Sequence, residues 1–373
     1  MSEKNKQEFD TSDWKSRVTA RGWISGLRDL QLTPGWFRLL LATAVVLYHT
    51  SKVVFFGYWA VFVFFVLSGF WLTEMFRKKY MHAKNTTLVF QASRVFRIMP
   101  VFLASSLLGL ATAWGGFGGP IVEHAQEPLW VARSLVPLGN SALQPRLIET
   151  VWSLDIEVQF YLLFPIIYAA MISRKQWAMV ASCAALAAIT WIAGYENSLL
   201  TYALMFMIGI LISHLDWQAS SVVYCASITL ILALFVGVLI YPESRSSLLS
   251  EGAIIMGGHD LTRAFNVAMA LITVPFVSLN VRVKETSMGY HAGNLSYPIY
   301  LIHWVLLGPY IAWYGGLPGR ERLPYFIGYL ALSFIVSLAI YALIDRPIDR
   351  LRRNFVSRYT AKPSASKSEA LAA

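Results

Sequence analysis

Residues 60–76 read AVFVFFVLSGFWLTEMF, a run with Glu74 as its one charged side chain, and they lead into the basic stretch RKKYMHAK at 77–84. With its flank from residue 58, the run is long enough as a helix to cross roughly 30 Å of hydrocarbon. The basic residues that follow fit the cytoplasmic end of a spanning helix.

Runs of this kind recur along the chain. Spans are expected near 36–56, 58–76, 98–118, 150–172, 177–195, 198–215, 219–241, 261–281, 295–314 and 324–344. Composition agrees, with 56% hydrophobic and 14% charged residues among 373, where soluble chains carry charge on about a quarter. The expected fold is all-α, a polytopic membrane helix bundle of about ten transmembrane helices.

Orientation follows from the loops. Of the 31 Lys and Arg, 23 fall in one alternating set, including 1–35, 77–97 and the segment after 345. That bias places both termini in the cytoplasm. It divides the chain into a polar arm at 1–33, a transmembrane domain at 34–345 and a basic tail at 346–373. The net charge of +10 is then mainly a topology signal. The basic residues flank spans and form no aromatic-interleaved basic domain, which argues against nucleic acid. The first apolar run follows some 35 polar residues, so no cleavable signal peptide is expected. Cys183 and Cys225 sit in apolar runs without CxxC spacing, so neither a disulfide nor a metal site is expected.

An ionisable group at membrane depth costs several kcal/mol on insertion scales and is a functional candidate by default. Of the seven histidines, His49 and His303 lie well inside spans. So do Asp155 and Glu157, and Arg38 lies at the cytoplasmic end of the first span. Arg38 and His49 are eleven residues apart, which puts them on one helix face about 16 Å apart along the axis. A snorkelling arginine and a packed histidine satisfy the same spacing. Ser68 and Gly69 are small enough to let helices approach closely. Arg94 and Arg97, just beyond the basic stretch, suit either an anionic ligand or a topology anchor. Asp155 and Glu157, two apart, point to opposite sides of a helix, one toward the bundle and the other toward a loop. Trp130, in the long loop 119–149, is a candidate sugar-stacking platform.

Six segments together resemble the acyltransferase-3 family of integral-membrane O-acyltransferases. They are Arg38 followed by His49, FFVLSGF at 64–70, SRVFRIMP at 93–100, WSLDIEVQFYLLFP at 152–165, GNLSYPIYLIH at 293–303 and DRP at 345–347. The resemblance implies transfer of an acyl group, usually acetyl, from cytoplasmic acyl-CoA to a hydroxyl of a cell-surface carbohydrate, glycolipid or similar acceptor. The protein would work in the lipid bilayer of the bacterial inner membrane, with acyl-CoA as co-substrate and no bound cofactor. It implies catalytic roles for His49, Arg38 and Glu157, and donor binding by Arg38, Ser68, Gly69, Arg94 and Arg97. His303, Asp155, Trp152 and Tyr161 lie in matching motifs as further site residues. Ser93 stands where many family members carry a basic residue.

Chemically, an imidazole is suited to take the proton of an attacking hydroxyl. A guanidinium 16 Å away is suited to the phosphates of CoA. Counting from the expected span ends, His49 and Glu157 each stand about 20 Å above the inner face and His303 about 12 Å. Equal depth makes Glu157 the expected partner of His49. The competing reading is a secondary transporter with a buried His/Glu proton relay.

Overall fold

The computed structural model describes residues 32–50, 56–172, 176–193, 199–241, 255–256 and 259–360. The rest of the N-terminal arm and the end of the tail, 1–31 and 361–373, lie outside the described residues.

All ten expected spans are occupied by helix. In order they are α1 (Pro34–Thr50), α2 (Gly57–Lys78), α3 (Thr86–Trp114), α6 (Val151–Ile172), α7 (Gln176–Ala193), α8 (Leu199–His214), α9 (Ser221–Ile240), α10 (Leu261–Asn280), α11 (Ser287–Tyr314) and α12 (Gly319–Ile340). Two short helices, α4 (Pro120–His124) and α5 (Pro128–Ser134), lie in the long loop. A π-helical turn at Tyr341–Asp345 joins α12 to the amphipathic α13 (Arg346–Thr360). An antiparallel pair of two-residue strands, β1 (Ile255–Met256) and β2 (His259–Asp260), precedes α10.

Among the described residues, seven helices are long and apolar enough to cross a membrane, against the ten expected. The three that fall short are α1 with 17 residues, α7 with an apolar core at Trp177–Ile189, and α8 with 16. Two expected starts were also late. The structure begins α3 at Thr86 rather than near 98, and α11 at Ser287 rather than near 295. Both added stretches carry polar residues that line a cavity, Arg94 and Arg97 on α3 and Tyr290 and Asn294 on α11, so hydropathy passes over them.

Close backbone contact sets the packing. A Cβ on Gly35 would stand 1.8 Å from the Gly289 carbonyl oxygen, and one on Gly293 would stand 2.8 Å from Gly35 Cα. Glycine at these points lets α1 and α11 touch near their starts, as small residues do in membrane bundles. Gly69 and Gly209 do the same for α2 and α8, where added Cβ atoms would lie 2.1 and 2.0 Å from carbonyl oxygens of the facing helix. Aromatic rings fill the space beyond, with Phe206 stacked between Phe65 and Phe160 at centroid distances of 4.6 and 4.0 Å.

Candidate functional site

A cavity of about 410 Å³ opens among α1, α2, α3, α6, α11 and α13. Four arginines line it: Arg38 from α1, Arg94 and Arg97 from α3, and Arg352 from α13. Their disposition is set by the helices' common end. The Arg97 guanidinium holds both Asp345 oxygens at 3.2 and 3.3 Å, and Tyr290 donates to Asp349 at 3.3 Å. These contacts gather the starts of α3 and α11 with the end of α12 and the start of α13. The two carboxylates on the lining itself are Glu157 and Asp349.

The arginines differ in how far the protein satisfies them. Arg94 is 6% exposed, donates to Tyr80 at 3.2 Å and lies over the Phe90 and Tyr161 rings, while its Nε has no partner among the described residues. Arg97, expected to bind the donor, stands on the cavity wall and is paired with Asp345. Arg352 is held by Asp349 and also donates to Ser93 at 3.4 Å. A guanidinium from α13 therefore stands beside the serine that occupies a commonly basic position. Arg38 forms no hydrogen bond or ion pair with the described residues, although the charges of Arg97, Glu157 and Asp345 act on it.

Deeper in the cavity, Glu157 accepts hydrogen bonds from Ser68 Oγ at 2.6 Å and from the Tyr161 hydroxyl. Its expected pairing with His49 is therefore corrected. The reason is packing: α1 lies against α11 and α2, so His49 meets α11 instead. Its ring stacks on His303, with centroids 5.6 Å apart and planes at 29°, and stands edge-on to Trp304 at 5.0 Å. Depth misled because α11 begins earlier than expected. Counted from Ser287, His303 stands about 24 Å along its helix, level with His49 at about 22 Å along α1.

Neither histidine lines the cavity; Tyr300 separates them from it. Its ring is 6.3 Å from His303. Its hydroxyl shares a 2.6 Å hydrogen bond with Ser153 on the cavity side.

The remaining candidates sort by position. Tyr161 lines the cavity. Gly69, also expected at the donor site, is not on that lining; it is at the α2–α8 crossing, where it lets the helices meet. Asp155, 0% exposed, accepts from the Ser141 backbone N–H at 2.7 Å and from Gln159 at 3.0 Å. It faces the loop, as its spacing from Glu157 predicts, and holds that loop in place. Trp152 packs between Tyr58 and Tyr202, away from the cavity. Trp130 is 5% exposed with its indole N–H on the Pro145 carbonyl, which removes it as a sugar platform. Sequence reasoning missed Arg352, Tyr297 and Tyr300. The i, i+3 pattern of Tyr297 and Tyr300 on α11 was the available signal, because it puts both on the face that carries Asn294.

A polytopic membrane protein with a cationic cavity next to a stacked histidine pair is the class defined by fold and site. The acyltransferase-domain model Acyl_transf_3 matches residues 34–342, and the chain belongs to that family. It is similar to proteins described as O-acetyltransferase OatA from Staphylococcus aureus strains NCTC 8325, COL and MRSA252. Each is 23% identical over 180 residues, which cover 44% of this chain. The match spans 28% of the length of those relatives. No solved structure matches the chain.

Proposed function

We propose that this protein is a membrane O-acyltransferase that moves an acyl group, acetyl in the first instance, from cytoplasmic acyl-CoA to a hydroxyl of a carbohydrate or glycolipid acceptor. On this reading ten helices cross the bacterial inner membrane, the arm before residue 34 and the tail after 345 lie in the cytoplasm, and the cavity opens there. The observation that carries the reading is the set of four arginines around one cavity that runs up to the tyrosine beside the stacked pair of His49 and buried His303. Family membership and the similarity to O-acetyltransferases support it.

The donor is a polyanion, and guanidinium groups pair well with phosphate. Arg38, with no ion-pair partner among the described residues, is assigned to the phosphates together with Arg94 and Arg352. The pantetheine arm follows the α1 face for the roughly 16 Å between Arg38 and His49, and Tyr300 moves aside to admit the thioester. His49 then takes the proton from the acceptor hydroxyl as its oxygen attacks the thioester carbonyl. The new C–O bond forms, the C–S bond breaks, and the proton passes to the leaving thiolate to give CoA–SH.

The test is acyl transfer and acyl-CoA hydrolysis by the full chain in lipid nanodiscs, with His49→Ala beside it. Loss of roughly 10²- to 10⁴-fold is expected for removal of a positioned base. Full activity at equal protein level defeats the assignment. Mass spectrometry of surface glycans with and without the protein names the acceptor.

A further inference from the structure

His303 is 0% exposed, yet half of its ring is chemically unspent. Its Nδ1 lies 2.9 Å from the Ile299 carbonyl oxygen. A carbonyl only accepts, so Nδ1 carries the hydrogen, and the neutral ring presents Nε2 as an acceptor. Among the described residues that Nε2 is buried with no hydrogen-bond partner. Buried acceptors without donors are rare enough in native proteins to call for an explanation. The imidazole stacked on the His303 ring, at 5.6 Å between centroids, is that of His49.

We propose that His303 is a positioning residue for His49: its Nε2 accepts the second N–H of His49 once His49 has taken the acceptor's proton. The inference rests on the general-base reading of His49 given above. The separation suits the role. Two imidazoles joined in line by an N–H···N bond have centroids about 5 Å apart, the sum of two ring radii and one hydrogen-bond length. The observed 5.6 Å is close to that separation, so reorientation of the two side chains is enough in distance to bring a His49 N–H to Nε2.

Among the described residues no other group competes for the part. The side chains around the pair are Tyr48, Trp304 and Tyr300, with the Tyr329 hydroxyl on the His303 carbonyl. Among the described residues neither imidazole has a carboxylate partner, and Glu157 is engaged by Ser68 and Tyr161. His303 thus supplies what a carboxylate supplies in most catalytic dyads, an acceptor that fixes the tautomer and steadies the imidazolium. The proton account closes. One proton leaves the hydroxyl for His49, His49 lends its other N–H to His303 without giving it up, and the acquired proton goes on to sulfur.

The experiment compares His303→Phe and His303→Gln in the full chain, with and without His49→Ala, at matched levels of folded protein. Phe keeps the ring without the nitrogen, and Gln returns a carbonyl oxygen at the reach of Nε2. His303→Phe is expected to lower kcat by on the order of tenfold or more with the donor KM unchanged. Gln is expected to recover part of the loss, and Phe to add nothing further in the His49→Ala background. The proposal is overturned by a fully active His303→Phe, by Gln no better than Phe, or by a Phe loss of equal size in both backgrounds. An active His49→Ala protein instead overturns the base reading itself, whatever His303 does.

Discussion

Ser68 Oγ donates a 2.6 Å hydrogen bond to Glu157 Oε1, tying α2 to α6 across 89 positions of sequence. With the Tyr161 hydroxyl on the same oxygen, this carboxylate belongs to the arginine-lined cavity and not to the histidine pair. Glu157→Gln is therefore expected to change the donor KM and lower kcat while leaving the acid limb of the kcat/KM profile where it is. A shifted acid limb would show that Glu157 reaches His49 in the working enzyme. Ser68→Ala removes one hydrogen bond and is expected to cost about 1 kcal/mol of stability, readable in a thermal melt.

Arg38 is the lining arginine with neither a hydrogen bond nor an ion pair among the described residues, so its substitution is the cleanest test of donor binding. Arg38→Lys keeps the charge and loses the planar fork that grips phosphate. The apparent KM for acyl-CoA is expected to rise while that for the acceptor stays put. A change confined to the acceptor KM would put the donor at the opposite mouth.

Asp345 and Arg97 form a largely buried ion pair, with side chains 5% and 17% exposed. Removing one partner strands the other, and such breaks cost roughly 3–5 kcal/mol. Asp345→Asn is expected to lower the melting temperature sharply, and addition of donor is expected to recover part of the loss by pairing the released guanidinium. A melt unchanged from the parent would mean that water already screens the pair.

Much of this was legible in the sequence, and the failures have a common physical origin. Apolar runs mark lipid-facing helix well, which is why all ten expected spans are occupied by helix. The stretch SMGYHAGN at 287–294 is helix too, but its Gly289 and Gly293 face α1, and its Tyr290 and Asn294 line a cavity. Hydropathy reports what faces lipid, so an inward-facing polar turn looks like loop. That one error displaced His303 by some 12 Å and handed its place beside His49 to Glu157. The pairing of Arg97 was hidden for a different reason. Its partner lies 248 residues away, and no local pattern can show it.

Gly69 makes a stability test separable from chemistry. A Cβ there would meet the Phe206 carbonyl oxygen at 2.1 Å, and backbone cannot swing aside as a side chain can. Gly69→Ala is expected to cost about 1–3 kcal/mol through overpacking, with the donor KM of the surviving folded fraction unchanged. A raised donor KM at normal stability would return Gly69 to the donor site.

At the α8–α9 turn, Asp216 accepts a 2.7 Å hydrogen bond from Arg282, which also lies over the Phe70 ring. That hydrogen bond and the guanidinium charge hold the Asp216 carboxyl below its ordinary value. A carboxyl depressed in the folded state stabilises at pH above the ordinary carboxylate range and loses that contribution as pH falls through its folded value. The pair is exposed, so the effect is small. Melts of Asp216→Asn and parent are expected to differ slightly at neutral pH and to converge in acid. A gap that persists in acid would assign the difference to backbone conformation, since Asp216 has φ of 47°.

The glycine contact between α1 and α11 also acts as a fulcrum. It lies at the start of both helices, and the helices run side by side from it toward the two histidines. His49 is fourteen residues beyond Gly35, a lever arm of about 21 Å, whereas Arg38 is only about 5 Å out. A scissoring of about 5° about that point carries the His49 ring through roughly 2 Å, yet moves Arg38 by less than about half an ångström. The Arg38 end is therefore stiff by geometry, and the compliance of the pair is concentrated at the two histidines.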